Sequence, residues 1–239
     1  MRAQTLSLIF LLALLWGCDL KTPSSSPVSL PAEEILSDLP FDSDDVSAMA
    51  WHPNGQRLAV AEREGASNQL QALTPANSRP QALKLRLQSL RRFAAIAGRR
   101  IVSENEAGQL QVWSIENQER ENLLAEEIHG GLWSVSASGE DLVYVPQPAS
   151  AFDPLQVRHL SRAHGEEAVV VDSLRSVLAV SVLPNGEGVW VAYSVRDSSA
   201  TRFKIALFSL PAKQARSTIE NVNSFIRMVP SPDGRQLAY

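Results

Sequence analysis

Residues 51–62 read WHPNGQRLAVAE, and the fold turns on them because they return: residues 182–193 read VLPNGEGVWVAY and residues 231–239 read SPDGRQLAY. Each copy is a short apolar strand, a Pro-Asn-Gly or Pro-Asp-Gly turn, and a second strand of alternating apolar residues. Proline sets φ near −65° at the first turn position. Asn or Asp then accepts the bridge region, and Gly takes the left-handed conformation from which an antiparallel strand can start. Two weaker copies, FAAIAGRRIVSE at 93–104 and WSVSASGEDLVYV at 133–145, keep the glycine and lose the proline. The turn glycines Gly55, Gly98, Gly139, Gly186 and Gly234 are separated by 43, 41, 47 and 48 residues. A hairpin recurring at that period predicts an all-β fold, a β-propeller with one four-stranded antiparallel blade per repeat.

Working outward from the hairpins, alternation places the remaining strands. The first blade is expected at Val46–Trp51, Arg57–Glu62, Gln69–Leu73 and Ala82–Leu87, and the second at Arg92–Ile96, Arg100–Glu104, Gln109–Ile115 and Asn122–Ala125. The third is expected at Leu132–Ala137, Asp141–Val145, Leu155–Leu160 and Ala168–Asp172. The fourth follows at Val177–Leu183, Val189–Val195, Phe203–Leu210 and Arg216–Ile219, and half of a fifth at Phe225–Val229 and Gln236–Tyr239. Four and a half blades over 46–239 do not close a ring, and an apolar strand at the end would leave an unpaired edge. The expectation is therefore a fragment of a longer chain, or a ring completed by another chain.

Two connections are longer than the rest, PQPASAFDP at 146–154 and RDSSAT at 196–201. Both join the second and third strands of their blades, so they emerge at the same end of a propeller. Phe152, Asp153, Arg196 and Asp197 are thereby the candidate partner-binding residues, a mixed apolar and charged patch on a rigid scaffold. The plain alternative is two slack surface loops.

Before the repeats lie a leader and a tether. Residues 6–16 are apolar, too short for the roughly 20 residues of a membrane-spanning helix, and follow Arg2. This is the pattern of a signal peptide over 1–18. Residues 19–45 form a Ser/Pro-rich tether and an acidic lead-in, with two helical turns expected at Pro31–Leu39. Phe41 to Asp45 begins like a calcium-binding loop but has Ser47 and Pro53 where glycine and a bidentate glutamate belong, so a solvated acidic segment is expected.

Composition excludes several classes. The 239 residues carry a formal net charge of −4, which gives no global attraction to nucleic acid or anionic lipid. One cysteine, Cys18, rules out an internal disulfide or a multi-cysteine metal site. His52, His129, His159 and His164 form no HExxH pattern, and the chain has no G-x-S-x-G elbow, Walker loop or complete GxGxxG. No catalytic residue, cofactor or metal is expected. Trp51, Trp113, Trp133 and Trp190 fall on predicted strands and are read as packing between blades, with a stacked ligand as the alternative. The basic run Lys84, Arg86, Arg91, Arg92, Arg99 and Arg100 is read as the solvent face of alternating strands, with an anionic partner as the alternative. The acidic stretch 116–127 is expected beside it.

Resemblances sharpen this reading. Leu15, Trp16, Gly17 and Cys18 resemble the lipobox of bacterial lipoproteins, which implies a lipid on Cys18 and attachment to a membrane; Asp19 resembles an inner-membrane retention signal. AGQLQVWSIE at 107–116 resembles the third strand of a WD repeat, with Ser114 in place of the usual Asp, and IHGGLWSVSASGEDLV at 128–143 resembles its Gly-His opening. There His129 stands where such repeats use a histidine to tie strands together. Together 46–239 is similar to the WD40-like repeats of the TolB type, common in the bacterial envelope. The resemblance implies a lipid-anchored envelope module facing the periplasm or the cell surface, non-catalytic, binding a protein or peptide and no nucleic acid. The alternative is the gating propeller of a prolyl-oligopeptidase-like hydrolase whose catalytic domain lies elsewhere.

Overall fold

Alternating apolar residues at a two-residue period have to bury one face of each strand, and in this chain they bury both. The structure, a computed structural model, describes residues 45–74, 77–196, 201–210, 214–222, 228–231 and 235–239, all within the compact unit Pro40–Tyr239. The leader, the tether, Cys18, the helix expected at 31–39 and Asp197 lie outside the described residues.

The described residues form four antiparallel four-stranded sheets and one two-stranded sheet, each in simple sequence order. The first blade comprises β1 (Val46–Trp51), β2 (Leu58–Glu64), β3 (Ser67–Thr74) and β4 (Asn77–Gln88). The second comprises β5 (Leu90–Ile96), β6 (Arg100–Asn105), β7 (Leu110–Ser114) and β8 (Arg120–Asn122). The third comprises β9 (Ile128–Val135), β10 (Asp141–Pro146), β11 (Leu155–Ser161) and β12 (Glu166–Leu174). The fourth comprises β13 (Val177–Val182), β14 (Gly188–Arg196), β15 (Thr201–Ser209) and β16 (Ala215–Val222), and β17 (Val229–Pro230) pairs with β18 (Leu237–Ala238) in the fifth. This is the propeller layout the repeat period predicts.

Strand ends differ from the expected ones where turns are tighter than the sequence suggests. The eighth strand ends at Asn122 rather than running from there, because Gln118 adopts φ 60° and Ser114 N–H donates to Glu119 O, closing the turn early. β4 starts at Asn77 and carries Pro80, which is tolerated because β4 is an edge strand. The first strands of the first, second and fourth blades each shift register near their start, at Val46/Ala48, Leu90/Arg92 and Val177/Ala179. Such bulges add twist, and no residue pattern announced them.

Packing happens between blades. Ala59, Ala61, Leu70, Leu85 and Leu87 of the first blade meet Phe93 and Ile101 of the second. Ile96, Val102 and Val112 meet Trp133, Leu142 and Tyr144 of the third. Val143, Val145 and Val157 meet Val180, Val182, Val189 and Val191 of the fourth. Adjacent residues of one strand thus serve opposite neighbours: Leu142 and Tyr144 face the second blade, Val143 and Val145 the fourth. Trp133 and Trp190 are buried as expected, but Trp51 is 57% exposed, so blade packing does not account for it.

Arg91 and Arg92 of the basic run are exposed, as the alternation predicts, and each also has a specific partner at the seam with the third blade. Arg92 lies 4.5 Å over the Trp133 ring and donates to Gly131 O at 2.7 Å and Trp133 O at 3.2 Å. Arg91 donates to Glu104 at 3.1 Å, and Glu104, fully buried, also accepts from Trp133 Nε1 at 2.7 Å. Arg99 does pair with Glu116 of the acidic stretch, at 3.1 Å.

Candidate partner-binding face

In an antiparallel four-stranded blade, the loop between the second and third strands and the connector into the next blade leave from the same end. At that end of the third blade, the turn of residues 150–153 holds its own shape. Asp153 Oδ2 accepts from Ser150 N–H at 2.9 Å, Asp153 N–H donates to Ser150 O at 3.1 Å, and Phe152 N–H donates to Ser150 Oγ at 3.3 Å. With its backbone so tied, the tip turns Phe152 outward, 97% exposed. A ring left in water on a closed turn loses the hydrophobic stabilisation that burial would provide, roughly 1.5–3 kcal/mol.

At the same end of the fourth blade, Arg196 closes β14 and pairs across to Thr201. It lines a groove of about 460 Å³ whose other walls are Ser173, Leu174, Arg175 and residues 193–195. Ser173 adopts φ 60° near the end of β12, where it forms part of the groove wall, while Ser194 N–H donates to Ser176 O of the connector at 3.2 Å. Among the described residues neither Arg175 nor Arg196 has an ion-pair partner, so two guanidinium groups face this opening unneutralised. The register links the two features: Leu155, two residues past Asp153, pairs with Leu174 of the groove wall. Phe152, Asp153 and Arg196 are therefore at one end of adjacent blades, and no hydrogen bond joins Phe152 or Asp153 to Arg196 among the described residues. The sequence did not point to Arg175 or Tyr193. They belong to a connector and a strand end from different blades, and only the fold brings them together.

Among the described residues, the buried Ser136 and the partly buried Asp141 and His159 do not form a nucleophilic relay. Asp141 Oδ1 meets His159 Nε2 at 3.0 Å and Asp141 Oδ2 meets Ser136 Oγ at 3.4 Å, so the carboxylate sits between serine and imidazole. A general base must reach the hydroxyl itself. This network ties β9, β10 and β11, the role expected of His129, which instead meets Gln147 Oε1 at 3.1 Å. Among the described residues no three His, Cys, Asp or Glu side chains are placed to hold a metal ion.

No protein-family model and no curated protein sequence matches the chain. Solved structures do. TolB from Acinetobacter baumannii is similar over 83% of this chain and 49% of its own, at a TM-score of 0.64 and 10% identity. The Cps50 (Swd1) β-propeller domain of Myceliophteria thermophila is similar over 82% of this chain and 62% of its own, at 0.56 and 8%. A tricorn protease is similar over 81% of this chain and 18% of its own, at 0.52 and 12%. At such identities the likeness establishes the β-propeller fold. The chain spans about half the length of TolB.

Proposed function

We propose that this protein is a non-catalytic β-propeller of the bacterial envelope, held to a membrane by a lipid on Cys18, that binds a protein or peptide partner through the end carrying Phe152. The observation that carries this reading is Phe152 itself, an exposed aromatic ring on a self-closed turn, at the same end of the blades as a groove lined by Arg175 and Arg196, which have no ion-pair partner among the described residues. Aromatic residues and arginine are the types that dominate binding hot spots. Phe152, Asp153, Arg196 and Asp197 are the proposed contacts, and Arg175 joins them. The lipobox-like Leu15 to Cys18 supports the anchor, the TolB-like repeats support the envelope, and Asp19 tilts the placement toward the inner membrane facing the periplasm.

The test is quantitative recovery of partners from envelope extract by the full chain and by Phe152→Ala/Arg196→Ala. Loss of one stoichiometric partner in the double variant, with unchanged melting, is the expected result. Equal recovery by both proteins would place the binding face elsewhere. Mass spectrometry of the mature N-terminus tests the anchor separately: a diacylated or triacylated Cys18 is expected, and an unmodified N-terminus at another residue refutes it.

A further inference from the structure

The opposite end of the blades, where first and second strands turn, carries a different opening. Between the first and second blades lies a crevice of about 130 Å³. Its floor is apolar, formed by Leu58, Leu83, Ile101 and Ile115. Its rim is basic: Arg57, beside His52, comes from the first hairpin, and Arg99 and Arg100 from the second. Among the described residues no carboxylate lines it.

The rim groups are differently committed. The Arg57 guanidinium has no hydrogen bond or ion pair among the described residues. His52 Nδ1 accepts from Asn54 N–H at 3.3 Å, which leaves the proton on Nε2, free to donate. Arg100 is pinned, donating to Ala97 O at 3.2 Å and Ser138 O at 3.3 Å, so its charge stays at the wall. Among the described residues, the Arg99 side chain pairs with Glu116 alone, in a bridge whose side chains are 57% and 64% exposed. Such a surface pair holds weakly and yields readily to a competing carboxylate. Arg99 also sits at φ 53°, in the left-handed region that a glycine or asparagine would occupy with less strain. A long cation kept at a strained turn position beside an opening is the kind of outlier that points to a binding role.

We infer that this crevice is a second binding site, for an acidic peptide segment that inserts one aliphatic or aromatic side chain between Leu58 and Ile115 and sets its flanking carboxylates against Arg57 and Arg99. The volume decides the anchor: a cavity of this order takes one benzene-sized group and no more. The rim decides the flanks, because guanidinium groups pair with carboxylates bidentately. A free fatty acid offers a carboxylate but has a chain far longer than the crevice.

The experiment is fluorescence anisotropy of the full chain with a labelled, N-acetylated acidic pentapeptide bearing one central leucine. Its counterpart with glutamine and asparagine in place of every acid is the comparison. The acidic peptide should bind, weaken with added salt, and lose at least tenfold in affinity against Arg57→Glu, while Arg57→Lys, which keeps the charge but not the bidentate fork, should fall between the two. Arg99→Gly should lose several-fold, and that variant relieves backbone strain, so misfolding does not explain the loss. Phe152→Ala and Arg196→Ala should bind this peptide as the unmodified protein does, which separates the crevice from the opposite face. Equal affinity of the amide counterpart, or of Arg57→Glu, would overturn the inference. Saturation by octanoate without measurable peptide binding would overturn it too, assigning the crevice to free carboxylic acids.

Discussion

The seam between the second and third blades and the seam between the third and fourth solve the same problem with opposite chemistry. The second is almost all valine: Val143, Val145, Val157, Val180, Val182, Val189 and Val191 interlock with no charge among them. The first buries Glu104 completely and surrounds it with Trp133 Nε1–H, Arg91 and, over the indole ring, Arg92. A valine seam is stabilised in proportion to area and is indifferent to small slips, apart from the stiffness of β-branched side chains. A buried carboxylate is not indifferent. It tolerates only the arrangement that supplies its donors, because an unpaired buried charge costs far more than a misplaced methyl. The polar seam fixes the alignment of two blades, and the valine seam supplies adhesion.

Removing the indole breaks the comparison at its strongest point. Trp133→Ala should cost about 3–5 kcal/mol, since it opens a cavity at a fully buried site and strips Glu104 of its shortest bond. Trp133→Phe keeps most of the volume and removes only the donor. Combined with Glu104→Gln in a double-mutant cycle by urea unfolding, it should show a coupling on the order of 1–2 kcal/mol. The same cycle on Val143 and Val191 should give markedly less. Equal coupling in both seams would mean that Glu104 specifies nothing.

The next effect sits where the valine seam closes. Gly186 has φ 76°, and a Cβ there would fall 2.1 Å from Asp141 Oδ2 of the preceding blade. The equivalent Gly139, at the polar seam, meets instead the flexible end of Ile96 at 2.5 Å. Gly186→Ala should cost roughly 2 kcal/mol or more, from left-handed strain and from displacing the carboxylate that holds His159 at 3.0 Å. Gly139→Ala bears similar strain but a softer clash, so it should melt higher. The reverse order of melting temperatures would show that strain, not contact with the neighbouring blade, governs these turns.

What the sequence made legible follows from how local each feature is. The blades were legible because Pro-Asn-Gly and Pro-Asp-Gly turns, and the alternation after them, act within a dozen residues. The Phe152 loop was legible because its length and its two flanking prolines are visible in the chain itself. Glu104 and Trp133 were not, being 29 positions apart on different blades, each unremarkable alone. Arg92 follows the alternation and is exposed as read, but its stacking on a ring contributed by the next blade carries no local mark. Trp51 looked like Trp133, an indole on a first strand, and only the packing distinguishes their burial. His129 drew attention by its place in the repeat, while the histidine that ties strands, His159, carries no local mark.

The smallest effect concerns the outer rim of the polar seam and reads out in pH. Tyr144 O–H shares its single proton between Glu126 at 2.7 Å and Glu167 at 3.0 Å, and Arg158 donates to the same two carboxylates. Burial first, then these hydrogen bonds and the charges behind them, hold the phenol well above its ordinary value near 10. The fold thus favours the neutral form more than the unfolded chain does. Its contribution to stability is fully present below about pH 10 and is lost as pH rises beyond that, where the unfolded chain releases its proton first. At neutral pH, Tyr144→Phe should cost only about 1 kcal/mol, the net worth of a hydrogen bond whose acceptors keep Arg158. Its signature is the slope: melting temperature against pH from about 9 to 11 should fall less steeply than in the unmodified protein. Tyr239→Phe, at an exposed ring, should leave that slope as it was. If Tyr144→Phe also leaves it unchanged, the alkaline sensitivity arises outside this cluster, and the polar seam is distinguished from the valine seam by Glu104 alone.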